Sequence, residues 1–340
     1  MPQVSLNIKW NIEQITAILL VLITIISGII FYVEYQLGPM DYFSSQTVEL
    51  EISPGSSVIQ IAKKLESSGL IRQSKYFTGL TRLMGVEGKL QAGYYSFTTD
   101  MSVKDIIKKM AAGRVATTKL TIPEGLTIEE MAPVIEEETG IEAEDFLQAA
   151  KSYNPEFTPE NANVDYPVEG FLFPDTYQVP LNVDAEKLVE IMVDRFKNIV
   201  GLDNHVVDGR ELSIYQIVTI ASLLEEEAKL DVDRPKMSGV IYNRLDQGMR
   251  LQLCASVLYV MGVKKERLSL SDTKIPSPYN TYQNDGLPPG PISNPGLESI
   301  EAALNPADND YLFYFSMPDG TTYYSENYKE HQRKVHKYLD

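Results

Sequence analysis

The chain has 340 residues and a formal net charge of −17, with 30 lysines and arginines against 47 aspartates and glutamates. That length allows two or three modest domains with real cores. The acidity excludes a protein held to nucleic acid or to an acidic surface mainly by charge, since no basic stripe is present to displace counterions; a neutral polymer such as a glycan stays compatible. Cys254 is the single cysteine, so an intrachain disulfide is excluded. His205, His331 and His336 lack the spacing of a zinc site, and no metal or cofactor is expected.

Residues 1–14 are polar, with Lys9 before an uncharged apolar run from Ile15 to Val33. At about 1.5 Å per residue this run is long enough to cross a bilayer. No small-residue cleavage site follows in EYQLGPMDYF, which argues for a retained span over a cleaved signal. Lys9 precedes the run while Glu34 and Asp41 follow it, so the charge asymmetry places the N-terminus in the cytoplasm and the remaining chain outside.

VELEISPGSSVIQIAKKL then reads as a strand, a Pro-Gly turn and an amphipathic helix, and LTIPEGLTIEEMAPVI repeats it from Leu120. Setting Gly55 on Gly125 pairs Ile52 with Ile122, Ser57 with Thr127, Val58 with Ile128, Ile61 with Met131 and Leu65 with Ile135. A weaker third copy, FTTDMSVKDIIKKM, puts Ser102 at the hydroxyl position. Each hydroxyl is expected to cap a helix. The repeats predict small α+β modules over residues 46–150, able to serve as a spacer or as a glycan-binding surface. EGFLFPDTYQVP, Glu169 to Pro180, is aromatic and turn-rich, and an amphipathic helix is expected over about Ala185–Val200.

Ser213 to Leu230, SIYQIVTIASLLEEEAKL, is an apolar helix ending in three consecutive glutamates, with Ser213 and Gln216 at capping-box spacing. At 100° per residue Ile214, Ile217, Val218, Ile220, Ala221 and Leu224 share one arc, and Tyr215, Thr219 and Ser222 fall opposite. Glu226 continues that polar side. Glu225 and Glu227 flank the apolar arc, where partial desolvation keeps a carboxyl protonated, as a general acid requires. Geometry does not choose between them. A second helix follows over DVDRPKMSGVIYNRLDQGM. The stretch from Ser277 to Gly296 shows no helical period, and a loop of that length in a compact domain is usually functional. Tyr279, Asn280, Tyr282 and Asn284 give it aromatic faces and amides suited to sugar rings and N-acetyl groups. YLFYFSMPDGTTYYS reads as two strands joined by a Pro-Asp-Gly turn, followed by a polar helix containing His331.

EGFLFPDTY, ASLLEEEA with Asp233–Arg234, IYNRL, GMRLQ, YNTY, GLPPGPISNPG and YLFYF occur in one order. In that order they resemble the YceG-like family, the MltG-type endolytic murein transglycosylases, and the resemblance covers most of the chain. It implies an α+β protein with a single N-terminal transmembrane helix at residues 15–33, LysM-like modules and a C-terminal catalytic domain over residues 151–340. The implied location is the inner or cytoplasmic membrane, and the implied partners are peptidoglycan strands and membrane-bound cell-wall synthases (penicillin-binding proteins). The family motif is similar to Ser-x-x-Glu-x-Glu, whose second glutamate corresponds to Glu227. Glu225 would then support Glu227, its negative charge helping to hold the proton there. Gln252, Asn280 and Tyr282 are candidate substrate contacts. The sequence departs from the family in two places: Ala228 replaces a frequent threonine, and Leu253, Cys254 and Ala255 stand where an acidic residue and a proline are usual.

The implied reaction cleaves the bond between N-acetylmuramic acid and N-acetylglucosamine without water and ends elongation of the strand. One carboxyl group suffices, because the nucleophile is the sugar's own 6-hydroxyl. A hydrolytic muramidase would need a second acid, for which Asp233 and Asp285 are available. A non-catalytic glycan-binding scaffold is the reading from another class.

Overall fold

The structure is a computed structural model that describes residues 12–159, 164–263, 265 and 268–339. The part of the 1–14 segment before Ile12, Lys9 included, lies outside the described residues. The fold is α+β. Helix α1 (Ile12–Leu37) is long and apolar enough to cross a membrane: its window Ile15–Leu37 has a mean hydropathy of 2.7.

The remaining elements follow in chain order. They begin with β1 (Thr47–Ile52), α2 (Val58–Ser67), α3 (Ser74–Leu83), β2 (Gly93–Thr98), α4 (Val103–Ala111) and β3 (Thr117–Thr121). Next are α5 (Ile128–Thr139), α6 (Ala143–Ser152), β4 (Thr176–Pro180), α7 (Ala185–Ile199), β5 (His205–Val207), β6 (Arg210–Leu212) and α8 (Ile214–Glu227). The chain closes with α9 (Arg234–Asp246), α10 (Cys254–Met261), α11 (Leu297–Leu304), β7 (Phe313–Ser316), β8 (Thr322–Ser325) and α12 (Tyr328–Tyr338). Strands pair only two by two among the described residues: β1 with β2, β3 with β4, β5 with β6 and β7 with β8.

The three strand–turn–helix repeats are present and start alike. Ser57, Ser102 and Thr127 are the N-caps of α2, α4 and α5, and each closes a reciprocal capping box with Gln60, Asp105 or Glu130. Gly55 and Gly125, matched in the alignment, take φ of 77° and 80°, a left-handed turn that a side chain would strain.

Compactness divides the chain into one unit up to Thr117, with Pro180–Asn182, and a second formed by Thr118–Val179 and Val183–Asp340. In the first, antiparallel β1–β2 and helices α2–α4 close over Ile52, Leu65, Phe77, Tyr95, Phe97 and Ile106. The expected boundary at residue 150 instead falls inside the second unit. The reason is packing: Ile128, Met131, Ile135 and Phe146 share a core with Val168, Leu172, Leu188 and Met192. The third repeat copy in the chain therefore belongs to a different unit from the first two.

The second unit has another core around α8, built from Ile217, Val218, Ile220, Leu223 and Leu224 with Met237, Ile241, Leu251 and Ile300. Each such side chain, fully buried, contributes about 1.5–3 kcal/mol relative to exposure. The turn-rich segment joins the two cores, because Phe171 and Phe173 face one while Val168 and Leu172 face the other.

Candidate functional site

Helix α8 begins with the expected box, Gln216 N–H donating to Ser213 Oγ at 3.2 Å and Ser213 N–H to Gln216 Oε1 at 3.0 Å. It is not amphipathic in place. Tyr215, Thr219 and Ser222, expected on a polar side, are buried like the apolar arc because α9, α10 and α11 all pack on the helix. The threonine and serine hydroxyls are satisfied inside the fold: Thr219 donates to the Tyr215 carbonyl, Ser222 to the Thr219 carbonyl, and Ser222 Oγ accepts from Ile292 N–H. Ala228 leaves the helical region, so α8 ends on Glu227. Its last turn carries Glu226 exposed, with Glu225 and Glu227 half-buried.

The two half-buried acids have different surroundings. Glu225 receives a forked ion pair from Arg234, with both contacts at 3.2 Å, and the Gly296 N–H at 3.0 Å. Arg234 is fixed in turn by Asp231 and by the Ser299 hydroxyl. Glu227 Oε1 accepts from the Ala255 N–H at 3.0 Å, and Oε2 from the Tyr314 hydroxyl at 3.3 Å. Burial raises the Glu227 pKa above the ordinary carboxyl value, against the opposing pull of the Ala255, Tyr314 and Cys254 donors. Its place at a helix C-terminus acts in the same direction as burial. Arg234 faces the Glu225 charge, and burial is the largest cause of the raised Glu227 pKa.

The wall beside Glu227 consists of residues 250–256 laid against the loop 277–285. Gln252 sits at φ 50°, an uncommon conformation for a side-chain residue, with its N–H on the Thr281 carbonyl at 3.1 Å. Leu253 N–H donates to Thr281 Oγ1 at 2.9 Å, and Ser256 and Thr281 hydroxyls meet at 2.9 Å. This pinning turns the exposed Gln252 side chain outward and sets the Ala255 N–H on Glu227. Tyr282 reaches the same place: its hydroxyl is 3.3 Å from Cys254 Sγ, and its pKa is raised by burial and by the neighbouring thiol and Glu227. Asn280 is different. It is wholly buried, its amide donates to the Thr273 and Ile275 carbonyls, and its oxygen accepts from Tyr282 N–H. It fixes the loop and leaves no group for a substrate.

Two residues at the site escaped sequence reasoning. Tyr314 comes from β7, and the alternation in YLFYF gave no reason to prefer it over its aromatic neighbours. Arg244, from IYNRL, donates to the carbonyls of Leu312 and Leu251, both at 2.6 Å. It thereby ties the strand carrying Tyr314 to the segment carrying Ala255. An arginine set among the apolar residues of IYNRL was the available signal. The two acids considered as a second carboxylate are committed elsewhere: Asp233 accepts from Tyr324 Oη at 2.9 Å, and Asp285 pairs with Arg250 at 2.9 Å. Neither is among the groups acting on the Glu227 proton.

Comparison with known proteins adds a decisive observation, since the profile of the YceG-like family matches residues 50–337. The chain belongs to the YceG-like family. It is 35% identical over 331 residues to an endolytic murein transglycosylase of Bacillus subtilis, covering 93% of this chain and 91% of that one. An endolytic murein transglycosylase of Streptococcus pneumoniae is 31% identical over 339 residues; the match covers 91% of this chain but 61% of the pneumococcal protein. In structure, the family fold is shared with a yceG-like protein of Listeria monocytogenes. That crystal structure is 33% identical, with a TM-score of 0.55 over 86% of this chain and 100% of the other.

Proposed function

We propose that this member of the YceG-like family is a membrane-anchored endolytic murein transglycosylase. The observation that carries the reading is Glu227: a carboxyl held toward its protonated form by burial, with a fixed donor on each oxygen and no second acid acting on it among the described residues. The names of the Bacillus and Streptococcus relatives support the same activity.

The reaction follows from one acid. Protonated Glu227 gives its proton to the glycosidic oxygen between N-acetylmuramic acid and N-acetylglucosamine as the anomeric C–O bond breaks. The muramyl 6-hydroxyl then attacks the anomeric carbon and returns its proton to Glu227. This closes a 1,6-anhydro ring and restores the acid without consuming water. The attacking group is already part of the sugar, so its high effective molarity replaces a water activated by a second carboxylate. Gln252 and Tyr282 line the approach and are assigned to substrate contact, Glu225 to holding the helix end, and Asn280 to shaping the loop.

The wider arrangement belongs to the same proposal. Helix α1 spans the cytoplasmic membrane with its N-terminus inside, and the rest acts on nascent strands outside, beside the synthases that make them. The first unit is LysM-like, a reading supported by its β1–α2–α3–β2 order. Catalysis lies in the second unit.

Full-length protein incubated with nascent peptidoglycan tests the activity by mass spectrometry. The expected products end in 1,6-anhydro-muramic acid, about 18 Da lighter than reducing ends because no water is added. Glu227→Gln should lower their formation by about 10²–10⁴-fold. Reducing ends would establish a hydrolase, and unchanged activity in Glu227→Gln would remove Glu227 from the reaction.

A further inference from the structure

The first unit grips the end of α1 with no slack between them. Arg72 donates to the carbonyls of Tyr35, Gly38 and Pro39 at 3.0, 2.9 and 2.6 Å, the first an acceptor that the helix C-terminus leaves open and the others in the segment just beyond it. Its guanidinium also lies 4.2 Å from the centre of the Tyr35 ring. Gln36 is buried, Leu37 packs on the unit's core, and Asp41 N–H reaches the Thr99 carbonyl at 3.0 Å. The unit is thus an extension of the helix end and not a bead on a tether.

This attachment fixes the depth of α3. The ring of Tyr76, in its first turn, packs edge-on against Tyr32 at 6.3 Å. Tyr32 belongs to the apolar run itself. If that run spans a bilayer, whatever touches Tyr32 lies at the level of its outermost turns, where headgroups meet acyl chains. Aromatic side chains gather at this end: Tyr32, Tyr35 and Tyr42 are about half exposed or more, and Phe43 is completely exposed. Tyrosine suits such a boundary, with an apolar ring and a polar tip. Helix α3 carries Lys75 and Arg82 and no acid, in a chain of net charge −17. Lys75 Nζ lies 5.0 Å from the Tyr76 ring centre, placing an ammonium beside the aromatic belt where it can meet lipid phosphate.

We propose that Lys75 and Tyr76 of α3, together with Tyr42 and Phe43 just after α1, make a lipid-headgroup contact. It seats the first unit on the outer surface of the same bilayer that α1 crosses. The contact rests on aromatic rings at the interface and on continuity with the span, which is why it is compatible with a strongly acidic chain. It depends on the reading of α1 as a span, and the test separates the two.

Full-length protein, with Trp10→Phe to remove its single tryptophan, is reconstituted into phosphatidylcholine vesicles carrying bromine at shallow or deep acyl positions. Tyr76→Trp reports the surface and Ile23→Trp the span. The expected result is loss of Tyr76→Trp emission with shallow bromine, with a blue-shifted maximum, and loss of Ile23→Trp emission with deep bromine. Phe43→Trp, at an exposed site that tolerates replacement, should behave like Tyr76→Trp. Deep quenching at residue 23 with quenching at 76 and 43 only by aqueous iodide overturns the headgroup contact and leaves the span standing. Residue 76 shielded from both lipid and iodide means that protein covers the face, which also overturns it. Absence of lipid quenching at residue 23 overturns the span and this proposal together.

Discussion

Glu169 and Glu227 are both glutamates that burial pushes toward the neutral form, yet they occupy opposite kinds of helix end. Glu169 lies against the first amide of α5, with Ile128 N–H at 3.2 and 3.3 Å from its two oxygens and Asn294 Nδ2 at 2.8 Å. It is 3% exposed, and burial still carries its pKa up to about 8 despite those donors. Glu227 closes α8 at the end where the helix dipole disfavours a carboxylate. It stays half-buried and so within reach of a substrate. A raised pKa alone therefore does not distinguish the acid proposed for catalysis from a structural one; the greater exposure of Glu227 does.

The largest expected effects separate these two acids by readout. Glu227→Gln should remove about 10²–10⁴-fold of activity while leaving the fold intact. Glu169→Gln keeps an oxygen for Ile128 and Asn294, and should leave activity near wild type. A Glu169→Gln enzyme as inactive as Glu227→Gln would break the comparison.

Next is the contrast within the last turn of α8. Arg234→Ala leaves Glu225 with the Gly296 N–H but without its forked cation. Breaking such a pair in a poorly solvated place costs about 3–5 kcal/mol. A marked fall in melting temperature is expected, with rescue in the double variant Arg234→Met/Glu225→Met, which leaves no unpaired charge. An unaltered melting temperature in Arg234→Ala would show that the pair is solvated and does not brace the helix end.

Glu169 also predicts a stability profile. In the unfolded chain its carboxyl ionises near 4.5, whereas in the folded protein it holds its proton to about 8. Its folded pKa is raised, so the stabilisation is full below 4.5 and is lost as pH rises through 8, by on the order of a few kcal/mol. Urea midpoints of the detergent-solubilised chain at pH 5 and pH 9 should fall for wild type and change less for Glu169→Gln. Equal slopes for the two proteins would mean that Glu169 is ionised in the native state.

What could be read from the sequence followed short-range rules. Ser57, Ser102, Thr127 and Ser213 were legible as caps because a capping box closes within four residues. The start of α8 followed from its capping box and the partial burial of Glu225 and Glu227 from periodicity, whereas the helix stops at Glu227, short of the expected Leu230. The buried state of Tyr215, Thr219 and Ser222 did not, since three later helices supply that burial and local pattern carries no record of them. For the same reason Asn280 looked like a ligand group: its amide is spent on Thr273 and Ile275, a loop closure that residue type cannot reveal. Tyr314 reaches Glu227 across a long stretch of chain, through a strand whose aromatic residues look interchangeable until the hairpin register is fixed.

Tyr314 offers the finest test of how Glu227 is tuned. Its hydroxyl donates to Oε2 while the Ala255 amide holds Oε1, and Arg244 anchors the strand that carries it. Tyr314→Phe keeps the ring and deletes that one donor. The lost bond stabilised the carboxylate more than the acid, so the Glu227 pKa should rise further. The alkaline limb of the pH–rate profile, where the acid loses its proton, should then move to higher pH. The rate below that limb should fall by about tenfold, corresponding to one hydrogen bond of roughly 1–1.5 kcal/mol. Glu227→Gln abolishes the limb instead of moving it. A limb that stays in place in Tyr314→Phe, with only a loss in rate, would assign Tyr314 to the substrate and leave the Ala255 and Cys254 amides as the groups that oppose burial at Glu227.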